Sequence, residues 1–195
     1  MELQQLLNAI DERKKNKKYI TVAIDGNSAA GKSSLAALLK KTCSCSVIPM
    51  DDFFLRPEQR TSERLAQPGG NIDYERFKEE VSEPLKTGVP FKYRPFDCRT
   101  MKLMEPVKID ISSLIIIEGV YSLHPYFNGG YDISVFMKLD VNEQHRRLEK
   151  RDPFLLQRFI NEWLPMENRY FEHFRISEKC DIIYDASQFI TGSKA

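Results

Sequence analysis

The run Gly26-Asn27-Ser28-Ala29-Ala30-Gly31-Lys32-Ser33 restricts the fold more than any other feature of the chain. It fits G-x-x-x-x-G-K-[ST] at every position. That pattern works in one setting, with a strand running in, a tight loop, and a helix running out. Tyr19 to Ile24 (YITVAI) supplies the strand, a continuous β-branched run of the kind buried on both faces of a parallel sheet. Ser33 to Lys41 supplies the helix, with Leu35, Leu38 and Leu39 turned inward. In such a loop the glycines let the backbone curl round a phosphate, and the amides point inward as donors. Lys32 adds a point charge, the Ser33 hydroxyl is a ligand for Mg²⁺, and the helix start adds its positive dipole end. The candidate phosphate-loop residues are Gly26, Asn27, Ser28, Ala29, Ala30, Gly31, Lys32, Ser33 and Ser34.

The rest of the chain repeats the strand–helix rhythm. Further apolar runs at Cys45 to Met50, Leu114 to Ile117, Ile133 to Leu139 and Asp181 to Tyr184 are each followed by an acid, and polar, helix-competent stretches separate several of them. Alternating strands and helices predict an α/β domain with a parallel sheet, whose ligand crevice lies outside the carboxyl ends of the strands. Leu3, Leu6, Leu7 and Ile10 predict a leading amphipathic helix. Residues 53–106 break the rhythm. This Pro-, Arg- and aromatic-rich insertion is expected to hold two short helices, about 61–66 and 73–86, among irregular loops. Phe154 to Phe174, with Pro165 inside, reads as a packed, kinked helix pair, and Thr191 to Ala195 as a frayed tail. One domain spanning 1–195 accommodates all of this.

Composition narrows the chemistry. With 29 Lys plus Arg against 28 Asp plus Glu, the net charge is +1, which argues against a dedicated nucleic-acid binder. No apolar run approaches a membrane span, and the first residues lack the pattern of a signal peptide. Cys43, Cys45, Cys98 and Cys180 form no CxxC pair, and His124, His145 and His173 are scattered. A disulfide framework or structural zinc is therefore not expected, and free thiols suit a cytoplasmic protein.

The strand-ending acids are the candidate chemistry. Asp51, the first residue after the second apolar run, would face the terminal phosphate and accept a proton from an incoming hydroxyl. Asp52 is the alternative base, or a group positioning Mg²⁺. Glu118, closing Ile115-Ile116-Ile117, suits a carboxylate holding Mg²⁺ through water. The candidate metal set is Ser33, Glu118 and Asp51. No N-K-x-D base-reading motif is present, and 195 residues are too few for a multidomain ATP-driven machine. A small chain with such a loop and an aromatic insertion fits a kinase of a small metabolite. A nucleotide-dependent regulatory protein without an acceptor is the rival.

In order, GNSAAGKSS, MDDFF, the Pro-, Tyr- and Arg-rich insertion, IIIEG and an Arg-bearing helix resemble the uridine kinase / phosphoribulokinase family of P-loop kinases, over about Tyr19 to Asp185. The resemblance implies a P-loop NTPase fold, three-layer α/β/α with a five-stranded parallel sheet, and an acceptor insertion at about 53–106. It also implies a short lid at about 142–158, ATP and Mg²⁺ as phosphoryl donor and metal, and Asp51 as the base. It makes Asp73 the residue that holds ribose hydroxyls, and it likens Tyr93 and Arg99 to base- and sugar-binding residues. Asp97 stands near where the family has a His. Arg147 and Arg151, with Lys32, would neutralise the moving phosphoryl group. The implied acceptor is a nucleoside 5′-hydroxyl, with nicotinamide riboside, pantothenate or a sugar as alternatives, and a homo-oligomer is left open.

Overall fold

The computed structural model describes residues 2–127 and 130–188. The expected tail, Thr191 to Ala195, lies outside the described residues. Helix α1 (Glu2–Lys14) buries Leu6 and Ile10, as the leucine spacing predicts. Strand β1 (Ile20–Gly26) is buried along its whole length and enters the loop. Helix α2 (Lys32–Thr42) starts directly after Gly31, whose φ of 94° is a left-handed value that glycine adopts without steric cost. Strand β2 (Cys45–Pro49) then leads into a single 3₁₀ turn, Met50–Phe53.

The insertion is more ordered than its sequence suggests. It holds α3 (Ser62–Ala66), then α4 (Tyr74–Phe77) and α5 (Glu83–Lys86) joined by a π turn at Lys78–Ser82. Two antiparallel ladders follow: β3 (Phe91–Tyr93) pairs with β6 (Val107–Ile109), and β4 (Phe96–Asp97) with β5 (Lys102–Leu103). Irregular loops were expected there.

The chain then returns to the sheet with β7 (Leu114–Glu118) and β8 (Ile133–Lys138). Helix α6 (Val141–Arg151) is capped by Asp140, whose carboxylate accepts from the Asn142 and Glu143 amides. After α7 (Leu156–Arg158), a π turn at Phe159–Trp163 runs without a break into α8 (Leu164–Phe174). This is one helical run rather than the expected pair. Both π turns end just before a proline, Pro84 and Pro165, which has no N–H to give an i−4 carbonyl, so the extra residue is absorbed there. Strand β9 (Ile182–Asp185) alternates buried and exposed residues, as an edge strand does.

All five long strands are parallel, in the order β2-β7-β1-β8-β9. Side chains alternate across the sheet, so the unbroken run at 114–117 serves two cores. Leu114 and Ile116 join α1 and α2 on one face. Ile115 and Ile117 join Phe53, Phe77, Phe136 and Tyr170 on the other. The result is a three-layer α/β/α domain whose strand ends gather the phosphate loop, Asp51 and Glu118. Among the described residues no helix is long and apolar enough to cross a membrane.

His124 belongs to the second layer, stacked between Tyr74 (4.8 Å) and Tyr170 (5.8 Å) and only 7% exposed. Burial pushes its imidazole down to about 4. The unfolded chain takes up this proton near pH 6.5 and the folded chain only near 4, so the fold loses stability as pH falls between those values. The expected loss is about 3 kcal/mol at most. Urea midpoints measured from pH 7.5 down to pH 4 should show it, and His124→Phe, which keeps the stacking, should lose that part of the slope.

Candidate active site

The loop between β1 and α2 is fixed by its own lysine. Lys32 Nζ donates to the carbonyls of Gly26 (2.7 Å) and Asn27 (2.9 Å), and its side chain is buried. Gly26 has no alternative residue, because a Cβ there would lie 2.2 Å from the Met137 carbonyl oxygen. The Asn27 amide donates to Met137 O (3.0 Å), and its side-chain oxygen accepts from the Leu139 amide (3.0 Å). Ala29 sits at φ 63°, a left-handed value that costs a non-glycine residue about 1–2 kcal/mol.

Ser33 and Glu118 meet across the loop, with Ser33 Oγ donating to Glu118 Oε2 at 3.1 Å. Burial raises the Glu118 carboxyl, and the Ser33 hydrogen bond opposes the rise. Gly119 carries φ 140°, and its backbone packs so closely on Met50 that a Cβ would fall 2.7 Å from Met50 Cβ. That contact brings the end of β7 beside the Asp51 turn.

Asp51 and Asp52 part ways. Asp51 keeps an exposed face at the cleft, but protein crowds it from behind, and that loss of solvent raises its carboxyl. The charges of Lys32 and Arg151 pull it back down. Asp52 turns into the insertion, where its Oδ2 accepts from Tyr93 Oη (2.6 Å) and its carbonyl from Arg76 Nη2 (2.6 Å). Of the two acids left open by the sequence, Asp51 is the one whose carboxyl the loop lysine's charge lowers. Asp25, Asp51, Glu118 and Glu167 all have raised carboxyls, with burial the first cause and Lys32 opposing it in each. So many acids around one lysine call for further cations. The hard oxygen donors of Ser33 and Glu118 fit Mg²⁺, which takes few protein ligands and completes its shell with phosphate oxygens and water.

The residues likened to acceptor contacts do not all converge. Asp73 is 2% exposed and caps α4, its Oδ1 accepting from the Arg76 amide (3.2 Å). Its Oδ2 has no hydrogen-bond partner among the described residues, with Arg76 Nε at 3.6 Å and Arg56 Nε at 3.8 Å. It lines a cavity of about 530 Å³ with Arg56, Gln59, Arg64, Arg76 and Glu80. Tyr93 is buried, stacks on Phe53 at 5.2 Å, and commits its hydroxyl to Asp52. Arg99 stands apart from these residues. Its side chain is 93% exposed on the β4–β5 turn, 3.8 Å from Asp97. Asp97 itself holds that turn, accepting from the Arg99 amide and the Thr100 hydroxyl.

The two arginines expected to neutralise the phosphoryl group also separate. Arg151 is exposed at the end of α6, packs over Phe159 (5.0 Å), and lies close enough to Asp51 to lower its pKa. Arg147 lies behind the loop, its side chain 10% exposed. It donates to Glu143 (2.6 Å), to the Ala186 carbonyl (2.9 Å) and to the Ala29 carbonyl (3.4 Å).

Sequence reasoning missed Glu167. It is 5% exposed and accepts from Ser28 Oγ (2.5 Å) and the Ser28 amide (3.2 Å). One signal was available: Leu164, Glu167 and Tyr170 recur at three-residue spacing, which places an acid on the buried stripe of α8. Tyr121 was missed as well. It is buried at φ 77°, an uncommon value for a bulky residue, directly after the Glu118-Gly119 strand end.

No family model matches the sequence. Solved structures do match the fold. A possible uridine kinase from Bacillus stearothermophilus superposes with TM-score 0.66 at 23% identity, over 93% of this chain and 100% of the other. A protein provisionally described as a fructose transport system kinase, from Silicibacter sp. TM1040, gives 0.63 at 23%, over 94% and 99%. The fold is that of the P-loop kinases. A Saccharomyces cerevisiae protein described as a P-loop-containing kinase candidate with a circular permutation gives 0.59 at 11%, over 94% and 97%. Each of these superpositions extends over more than nine-tenths of the chain, beyond the sheet alone.

Proposed function

We propose that the chain is an ATP- and Mg²⁺-dependent kinase that transfers the γ-phosphoryl group to a hydroxyl of a small metabolite, with a nucleoside 5′-hydroxyl as the first candidate. The observation that carries this reading is the position of Asp51, an acid at the open cleft within the fields of Lys32 and Arg151. The acceptor oxygen attacks the γ-phosphorus while the bond to the β-bridging oxygen breaks, and the hydroxyl proton passes to Asp51 as ADP leaves. Lys32 and Arg151 neutralise charge on the moving group, and Arg147 supports the loop from behind. Mg²⁺, held by Ser33 and Glu118 and in reach of Asp51, would offset phosphate charge and fix the phosphate geometry. Closure of the segment at about 142–158 would exclude water and suppress futile hydrolysis.

A sugar diol at Asp73 would have to displace Arg56 or Arg76 from the buried Oδ2 before donating to it. The fold match to a protein described as a fructose transport system kinase gives a sugar acceptor equal claim to testing. Four free cysteines accord with a reducing, cytoplasmic setting. A panel of nucleosides, nicotinamide riboside, pantothenate and sugars, each followed by ATP consumption, tests the proposal. One compound should raise turnover far above the acceptor-free rate. Slow hydrolysis indifferent to every compound would favour the regulatory protein instead.

A further inference from the structure

Ser28 is gripped on both sides of its backbone. Its N–H and Oγ–H go to Glu167 of α8, while its carbonyl accepts from Gln144 Nε2 of α6 (3.0 Å). The next carbonyl, Ala29, accepts from Arg147 one helical turn further along α6. Both oxygens of Glu167 are committed to this one residue. One turn along α8, Tyr170 Oη donates to Asp25 Oδ2 (2.8 Å), the residue just before the loop. Asp25 in turn accepts from the Gly26, Tyr121 and Leu123 amides. Helix α8 therefore holds β1 and its loop at two points, Asp25 below and Ser28 above.

A local demand makes the upper point consequential. Ala29, beside Ser28, occupies a left-handed conformation without being glycine, and such strain persists only where surrounding structure imposes it. The amides that would meet phosphate are aimed by that conformation. We infer that Glu167 is a positioning residue for nucleotide binding, which keeps the phosphate loop in its receiving shape by holding Ser28 through paired hydrogen bonds. The opposite role, a carboxylate occupying the anion site until nucleotide displaces it, makes contrary predictions. The inference rests on the nucleotide-binding half of the proposed function.

The test is calorimetric titration of the full chain with Mg-ADP. Glu167→Ala should weaken binding about tenfold or more, the scale of a lost pair of charge-assisted hydrogen bonds. Glu167→Gln should stay within about threefold of wild type, since its amide can accept from the Ser28 N–H and donate to Ser28 Oγ. Adding Ser28→Ala to Glu167→Ala should cost less than Ser28→Ala costs alone, the signature of a shared interaction. If Glu167→Ala does not fold, Glu167→Gln combined with Ser28→Ala carries the test, with a loss of about three- to tenfold expected, because the Gln still accepts from the backbone N–H of residue 28. Unchanged or tighter Mg-ADP binding in the folded variant would overturn the inference alone. A wild-type chain that does not bind Mg-ADP would overturn the proposed function with it.

Discussion

Asp51→Asn is expected to lower kcat by about 10²–10⁴-fold, the usual contribution of a positioned general base. Mg-ADP affinity should change little, because Asp51 makes no hydrogen bond to the phosphate loop among the described residues and acts on the acceptor side of the cleft. Asn preserves the shape and one acceptor oxygen, so the loss isolates proton acceptance. The pH profile adds a second signature. Crowding by protein raises the Asp51 carboxyl, so the acid limb of kcat/KM should lie above the ordinary aspartate range. The Asn variant should lose that limb. A variant that keeps most of its turnover would assign the base elsewhere, and Asp52 is poorly placed to replace it while its carboxylate holds Tyr93.

Lys32→Met is expected to act on both binding and chemistry. The ammonium bridges Gly26 O and Asn27 O, so its loss frees two loop carbonyls. It is also the cation that opposes the raised carboxyls of Asp25, Asp51, Glu118 and Glu167. Without it, a triphosphate meets these acids with no fixed positive charge on the loop. A fall in kcat/KM of about 10²–10³-fold is expected, in line with removal of one preorganised electrostatic contact. Lys32→Arg should recover little of this, because a planar guanidinium does not fit a site built for a compact ammonium. Steady-state kinetics with Mg-ATP, paired with calorimetry, would separate the binding loss from the chemical one.

The sheet was legible because its signals are local. Four consecutive apolar residues at 114–117 admit a strand buried on both sides, and the loop motif fixes what stands before and after it. The insertion was legible only in its helices. Its ladders pair two or three residues across gaps such as Tyr93 to Val107, too short for any alternation to register. Acids after strands were ambiguous for a physical reason: a carboxylate there serves equally as a catalytic group or a cap. Asp140 proves to be an N-cap, and Asp185 accepts from the Ser187 amide, whereas Glu118 accepts from Ser33 of the loop and Asp51 lies within the field of Lys32. Arg99 and Arg151 differ in the same way. Nothing local separates an arginine on a hairpin tip from one beside a carboxylate that lies 100 residues earlier in the chain. Glu167 was visible as an acid on an apolar stripe, but its partner, Ser28, is a tertiary fact.

The central claim is that a phosphate held at Gly26–Ser33 moves to a hydroxyl aligned by Asp51. Incubation with γ-³²P-labelled ATP, Mg²⁺ and the acceptor panel, followed by separation of products, tests it most directly. The label should appear on one hydroxylated metabolite, and in the Asp51→Asn variant it should appear at least about 100-fold more slowly. Label recovered solely as inorganic phosphate, with every acceptor intact, would contradict the account.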